Sequence, residues 1–159
     1  MRSARSGGIL AAAMVLALVA CSDDTLGVAT SFTADLVGSR EVPPTTSTAT
    51  GSASCSISGT TISCTVTFAG LTGNPTASHI HLGNAGANGA VRVNLCGAGT
   101  APACPAATSG TITSGAQSVL AGATFDQVVA AMRTYGAYVN IHTAANTGGE
   151  IRGPLFSKF

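Results

Sequence analysis

A cysteine-bearing β-hairpin is encoded in residues 52–66, whose sequence is SASCSISGTTISCTV. Two arms of small and β-branched side chains flank Gly59-Thr60, which is typical of antiparallel strands joined by a two-residue turn. Counting outward from this turn places Cys55 opposite Cys64, at a pair where facing side chains lie closest. We therefore predict a hairpin whose arms are joined by a Cys55–Cys64 disulfide.

Cys96 and Cys104 are left to close a second, small disulfide loop. Apart from Cys21, the four cysteines allow three pairings, and the hairpin register selects one of them. A cysteine metal site is the alternative, but it is disfavoured because no Cys-x-x-Cys pair occurs. Since disulfides persist in oxidising compartments, this pattern predicts an exported protein.

The first twenty residues have the parts of a bacterial export signal. Arg2 and Arg5 precede an apolar run at residues 9–20, which is too short for a permanent membrane span. The segment Leu18-Val19-Ala20-Cys21 resembles the lipobox of bacterial lipoproteins, in which the cysteine is acylated and becomes the first mature residue. The alternatives are an uncleaved anchor helix and a plain secretory signal.

We accordingly divide the chain into a signal peptide at residues 1–20, a tether at residues 21–30 and one domain at residues 31–159. Ser22 resembles the second residue of enterobacterial lipoproteins that are sorted to the outer membrane. We expect a lipid-anchored protein of the cell envelope, in the outer membrane, with the N-terminal lipid as its membrane contact. No basic patch is present, so the sequence predicts no nucleic-acid partner.

The rest of the chain is typical of an all-β domain. Charged residues make up only 8% of the chain and 20 of its 159 residues are glycine, a composition that favours turn-rich β-structure. Further strands are predicted near residues 31–36, 77–82, 90–95, 110–113, 137–143 and 150–156. One short helix is predicted after Thr124, which forms a capping box with Gln127. We expect a Greek-key-like β-sandwich or an irregular barrel with one short helix.

All three histidines fall in two of these strands. Alternation places His79 and His81 on one face of the first strand, and His142 on the polar face of the second. Imidazole nitrogens bind Zn²⁺ and Cu²⁺ readily, and two of them at positions i and i+2 with a third from elsewhere form a suitable set. The sequence therefore indicates a candidate copper or zinc site at these three residues.

Three other polar residues accompany the histidines. Asn140 shares a strand face with His142, while Glu150 and Arg152 share a face of the last strand. They predict a supporting polar network, and Glu150 is also a candidate fourth metal ligand or an acceptor that orients an imidazole ring.

Two alternatives to a metal site remain open, and the first of them is the interpretation that the sequence favours. In the first, histidines and neighbours form a buried polar network that ties residues 83–89 and 144–149 onto the sheet. In the second, a histidine acts as an acid–base catalyst, which the sequence disfavours because it shows no nucleophile motif. We therefore expect no enzymatic activity.

Blocks of sequence spread over roughly residues 31–155 resemble the CHRD domain, first described in chordin and widespread in bacterial secreted proteins. The blocks are Phe32–Leu36 with Glu41–Pro44, Phe68–Leu71, His79–Gly83 with Gly86 and Asn88-Gly89, Tyr138–Thr143, and Gly148–Gly153. Their order and spacing are fairly specific to the family. One departure is Thr147, where other members commonly carry proline.

The resemblance implies a binding or structural module. In chordin these repeats belong to an extracellular antagonist of bone morphogenetic proteins, and that ligand does not transfer to this chain. We expect an unidentified protein or polysaccharide ligand, with a periplasmic or surface copper- or zinc-binding protein, with or without redox activity, as the alternative. Three histidines are too few for the dinuclear site of copper/zinc superoxide dismutase.

Overall fold

A computed structural model describes residues 29–158. The predicted signal peptide (1–20), Cys21 and residues 22–28 of the predicted tether lie outside the described residues. The strands are β1 (Ser31–Val37), β2 (Thr50–Ser58), β3 (Thr61–Ala69), β4 (Pro75–Leu82), β5 (Ala90–Cys96), β6 (Gly110–Gln117), β7 (Ala137–Thr143), β8 (Ile151–Pro154) and β9 (Phe156–Ser157). A 3-10 turn occupies Gly38–Arg40, and the helix α1 occupies Phe125–Arg133.

The strands form one antiparallel sheet in the order β5-β4-β7-β8-β1-β2-β3-β6, and β9 adds to the edge of β1 beside β8. The two end strands, β5 and β6, lie against each other, and just beyond β6 the Leu120 N–H donates to the Arg92 carbonyl at 2.8 Å. The sheet is therefore a nearly closed barrel. The all-β prediction is confirmed, and of the two architectures expected from the sequence the structure adopts the irregular barrel.

The hairpin of β2 and β3 has the predicted register. Ser58 pairs with Thr61 across the turn, and Cys55 pairs with Cys64. The Cα atoms of these cysteines are 4.1 Å apart and their sulfurs are bonded, as are those of Cys96 and Cys104. Both predicted disulfides are confirmed.

The interior of the barrel is apolar because alternate residues of each strand point inward. Its fully buried side chains include Phe32, Leu36, Ile62, Ile80, Leu95, Ile112, Ile141 and Ile151. The opposite face of β4 and β7 carries the histidines. Loops cover part of it, so that His81, Asn140 and Arg152 are buried while His79 and His142 are half-buried.

The helix α1 begins where its capping box predicts. The Gln127 N–H donates to Thr124 Oγ1, and the Gln127 side chain accepts from the Thr124 N–H. Val128 and Met132, one turn apart, are buried, and α1 contacts β7 and β9. In residues 29–158, no helix has the length and apolarity needed to cross a bilayer.

A candidate three-histidine metal centre

Strands β4 and β7 are neighbours, and their register determines which polar side chains meet. His79 lies opposite Asn140, His81 lies opposite Tyr138, and His142 lies opposite Ala77. Because facing residues on paired strands point to the same side of the sheet, the three imidazoles share one face. Alternation predicted which face of each strand is polar, and the pairing brings those faces together.

The imidazole rings converge. One ring nitrogen from each of the three histidines lies within 4.8 Å of the corresponding nitrogens of the other two. The shortest separation, between His79 Nδ1 and His142 Nε2, is 3.2 Å, and these two nitrogens are hydrogen-bonded to each other. Two nitrogens bound to one tetrahedral zinc ion are about 3.3 Å apart, given a Zn–N distance of about 2.0 Å. This pair of nitrogens already has the spacing of two zinc ligands. The other two pairs would have to move closer by about 1.5 Å at most to reach it.

Backbone carbonyls set the tautomers of two rings. His142 Nδ1–H donates to the Thr147 carbonyl at 2.9 Å, and His81 Nδ1–H donates to the Gly89 carbonyl at 2.9 Å. A carbonyl can only accept, so the proton of each neutral ring is on Nδ1 and the lone pair is on Nε2. Both rings are thus oriented as metal-bound histidines are, with the remote nitrogen held by a backbone acceptor.

Several buried polar atoms at this centre have no hydrogen-bond partner among the described residues. They are His81 Nε2 and both side-chain atoms of Asn140, Oδ1 and Nδ2. Leaving a buried polar group unsatisfied costs about 1 to 3 kcal/mol, so such groups are uncommon unless a water, ion or ligand completes them. His81 Nε2, which has no partner, belongs to the group of three histidines whose ring nitrogens converge.

The environment keeps all three imidazoles neutral. Burial, with smaller contributions from His142 and His81, lowers the pKa of His79 from 6.5 to about 4. Burial also lowers the pKa of His81 and of His142, although the carbonyl that each ring contacts opposes the shift. A neutral imidazole is the form that binds a metal ion, so protons compete weakly for this centre at neutral pH.

A stack of side chains holds His81 from one side. The Tyr138 ring lies parallel to the His81 ring, with centroids 4.9 Å apart, and the Arg152 guanidinium lies 4.3 Å from the Tyr138 centroid on the same ring. Gly89 closes the arrangement, since its N–H donates to the Tyr138 hydroxyl and its carbonyl accepts from His81. A side chain at Gly89 would collide with the Leu82 backbone, so glycine is required there.

Arg152 is buried and joins three segments of the chain. Its guanidinium pairs with the Glu41 carboxylate at 2.6 Å and donates to the Ala87 carbonyl at 3.2 Å and to Asn88 Oδ1 at 2.7 Å. Burial raises the pKa of the Glu41 carboxyl, while Arg152 acts in the opposite direction. The sequence predicted a network residue at Arg152 but assigned no role in the network to Glu41 or Tyr138. The signal available for Glu41 was an acidic side chain next to Val42-Pro43-Pro44 in a chain with few charges.

Glu150 lies in a different cluster from the histidines. Its fully buried carboxylate accepts hydrogen bonds from Ser47 Oγ, the Thr72 N–H and hydroxyl, Thr143 Oγ1 and Asn146 Nδ2, at 2.7 to 3.2 Å. Burial favours a higher pKa for this carboxyl, but the hydrogen bonds outweigh it and lower the pKa. None of the partners is a histidine, so the structure does not bring the candidate fourth ligand to the centre. It also does not pair Glu150 with Arg152.

Comparison with known proteins agrees with the sequence resemblance. The family model described as the CHRD domain matches residues 32–155, which is most of the chain. Neither the comparison with curated proteins nor that with solved structures found a match.

Proposed function

The chain belongs to the CHRD domain family, and we propose that it is a binding module of the cell envelope whose three-histidine centre takes up one copper or zinc ion. The ligands are His81 Nε2, His142 Nε2 and His79 Nδ1. Family membership supports the general role of a binding or structural module. The metal assignment depends on the geometry of the centre.

One observation carries the metal assignment. His81 Nε2 is buried, has no partner among the described residues and belongs to a set of three imidazole nitrogens that lie within 4.8 Å of one another. In a purely structural network that lone pair would receive a hydrogen bond. Beside it lie the Asn140 side chain and two further imidazole nitrogens. His142 Nε2 carries a lone pair and accepts from His79 Nδ1–H, and a metal ion would replace that hydrogen bond, with the His79 proton moved to Nε2.

Three imidazoles favour copper and zinc over magnesium or calcium, which prefer oxygen ligands. Between the two, the affinity of a nitrogen site for divalent ions is highest for copper. The described residues offer no thiolate or carboxylate beside the rings, because Glu150 is engaged elsewhere. A fourth position would therefore be left for water or for an outside ligand.

Two features support the proposed location. The disulfides suit an oxidising compartment, and the lipobox-like segment at residues 18–21 suits anchoring through Cys21. We also propose binding without catalysis, since residues 29–158 place no nucleophile with a base beside the centre.

The first test is metal uptake by the mature protein, purified without a chelator or a histidine tag. We expect one copper or zinc ion per chain by elemental analysis. His81→Gln and His142→Gln should each reduce affinity by more than about 100-fold, because losing even an outer partner of a metal ligand costs about 10- to 100-fold. The matched control is Asp126→Asn, which removes an exposed carboxylate on α1 and should leave uptake unchanged. A stoichiometry near zero after reconstitution would refute the proposal and direct the search to a protein or polysaccharide ligand.

Metal retention should extend to unusually acidic pH. At pH 5.5 an ordinary imidazole of pKa 6.5 is about nine-tenths protonated, whereas the pKa of His79 is about 4 and those of the other two rings are also lowered. We expect the protein to keep its metal during dialysis at pH 5.5, while a hexahistidine peptide releases its own. Release from the protein with a midpoint near pH 6.5 would contradict the described environment.

A further inference from the structure

An exposed aromatic pair lies at the end of the domain where the described chain begins. Tyr135 is 57% exposed and Phe156 is 39% exposed, and their ring centroids are 5.1 Å apart in an edge-to-face arrangement. Among the described residues only one other large hydrophobic side chain, Leu120, is exposed. The two rings therefore concentrate most of the exposed large apolar side chains in one place.

Hydrogen bonds connect this pair to the N-terminal entry of the domain. Arg133 donates twice to the Ala29 carbonyl, from Nε at 3.2 Å and from Nη2 at 3.1 Å, and it lies two residues before Tyr135. Strand β9 pairs Phe156 with Thr33 of β1, and the Lys158 N–H donates to the Ser31 carbonyl at 2.8 Å. The aromatic pair thus lies near Arg133 and the start of the described chain at Ala29, and the exposed Lys158 follows Phe156 by two residues.

Tyr135 has a backbone conformation that its side chain does not favour. Its φ is +60°, and it is the only non-glycine residue with positive φ among those described. Glycine or asparagine is the usual residue at such a position after a helix. A large exposed ring at this position is not explained by packing in the core, which points to a role at the surface.

We propose that the surface formed by Tyr135, Phe156, Arg133 and Lys158 faces the membrane and lies in the interfacial layer of the bilayer. The inference rests on the proposed anchoring at Cys21. Tyrosine and phenylalanine rings partition to the level of the headgroups, and nearby basic side chains contact lipid phosphates.

The short distance along the chain between Cys21 and the domain favours this contact. Cys21 and Ala29 are eight positions apart, so a lipid on Cys21 would lie at most about 29 Å from Ala29. Tethering at this distance gives the surface a high effective concentration at the bilayer, so even a weak interfacial contact is populated.

The test uses the lipidated protein in vesicles, with a tryptophan introduced as the reporter. The chain contains no tryptophan, so Tyr135→Trp introduces a single tryptophan at the proposed surface. The control is Leu120→Trp, at an exposed residue that hydrogen-bonds to β5, on the opposite side of the closed sheet from β1. Each variant is reconstituted into phosphatidylethanolamine and phosphatidylglycerol vesicles, with and without brominated acyl chains that quench tryptophan on contact.

We expect bromine to quench the Tyr135→Trp reporter at least twofold more than the Leu120→Trp reporter, with a blue-shifted emission for the former alone. Mass spectrometry first shows whether Cys21 is lipidated. If it is, equal quenching of the two reporters would overturn the inference and leave the anchor intact. An unmodified Cys21 would instead overturn the anchor, and the inference with it. Metal uptake is measured separately and is unaffected by either result.

Discussion

Arg152→Leu should lower the free energy of unfolding by about 3 to 5 kcal/mol, the usual result of removing one member of a buried ion pair. The Glu41 carboxylate, 3% exposed, would lose its cation at 2.6 Å and remain buried. The Ala87 carbonyl and the Asn88 side chain would each lose a hydrogen bond, and Tyr138 would lose the guanidinium over its ring.

Urea denaturation of the metal-free protein measures this effect. Arg40→Leu is the matched control because Arg40 is exposed, and it should change stability by less than about 1 kcal/mol. The double variant Glu41→Gln/Arg152→Leu should recover part of the loss, since no unpaired charge then remains. If the Arg152→Leu protein is as stable as the control, the contacts of Arg152 with Glu41 and with residues 87–88 do not stabilise the fold.

Glu150→Ala should lower the free energy of unfolding by roughly 2 to 4 kcal/mol, because it removes the acceptor for five hydrogen bonds at once. The donors come from distant parts of the sequence, at Ser47, Thr72, Thr143 and Asn146. Hydrogen bonds to a charged group are stronger than neutral ones, and the carboxylate that accepts these is fully buried.

The contribution of Glu150 should also depend on pH in a defined direction. Hydrogen bonds lower its pKa in the folded state below the ordinary value of 4.5, so the unfolded state takes up a proton first as the pH falls. The stabilisation is therefore complete above about pH 4.5 and is lost as the pH decreases through the lower folded pKa.

Melting curves of the wild type and Glu150→Ala at pH 7 and pH 3 test both statements. The difference in stability should be large at pH 7 and smaller at pH 3. Asp35→Ala, which removes an exposed carboxylate on β1, is the control and should behave as the wild type does. Equal melting temperatures for Glu150→Ala and the wild type at pH 7 would contradict the described hydrogen bonds.

The local parts of the fold were predictable from the sequence. The register of the β2–β3 hairpin follows from a two-residue turn and an alternating pattern, so Cys55 and Cys64 could be paired by counting. The start of α1 follows from the chemistry of Thr124 and Gln127 three residues apart. Each of these features depends on residues close together in the chain.

Long-range contacts were not predictable in the same way. Arg152 and Glu41 are 111 residues apart, and no local pattern in either segment specifies the other as its partner. Glu150 was placed beside the histidines because it shares a strand-like pattern with Arg152. In the structure it directly follows the left-handed Gly149, ahead of β8, and faces another cluster. Barrel closure between β5 and β6 likewise depends on the twist of the whole sheet.

The candidate metal centre was partly predictable. Alternation showed that the histidines lie on the polar faces of two strands, but the pairing of β4 with β7 was needed to show that these faces meet. The carbonyls of Gly89 and Thr147, which orient two of the rings, belong to loops whose paths have no periodic signal in the sequence.

Anomalous X-ray scattering from crystals of the zinc-loaded and copper-loaded protein, recorded at the absorption edge of each metal, tests the central claim most directly. We predict one peak per chain, about 2.0 Å from His81 Nε2, His142 Nε2 and His79 Nδ1. A peak at any other set of residues, or an ordered metal-free centre in which His79 still donates to His142 at saturating metal, would contradict it.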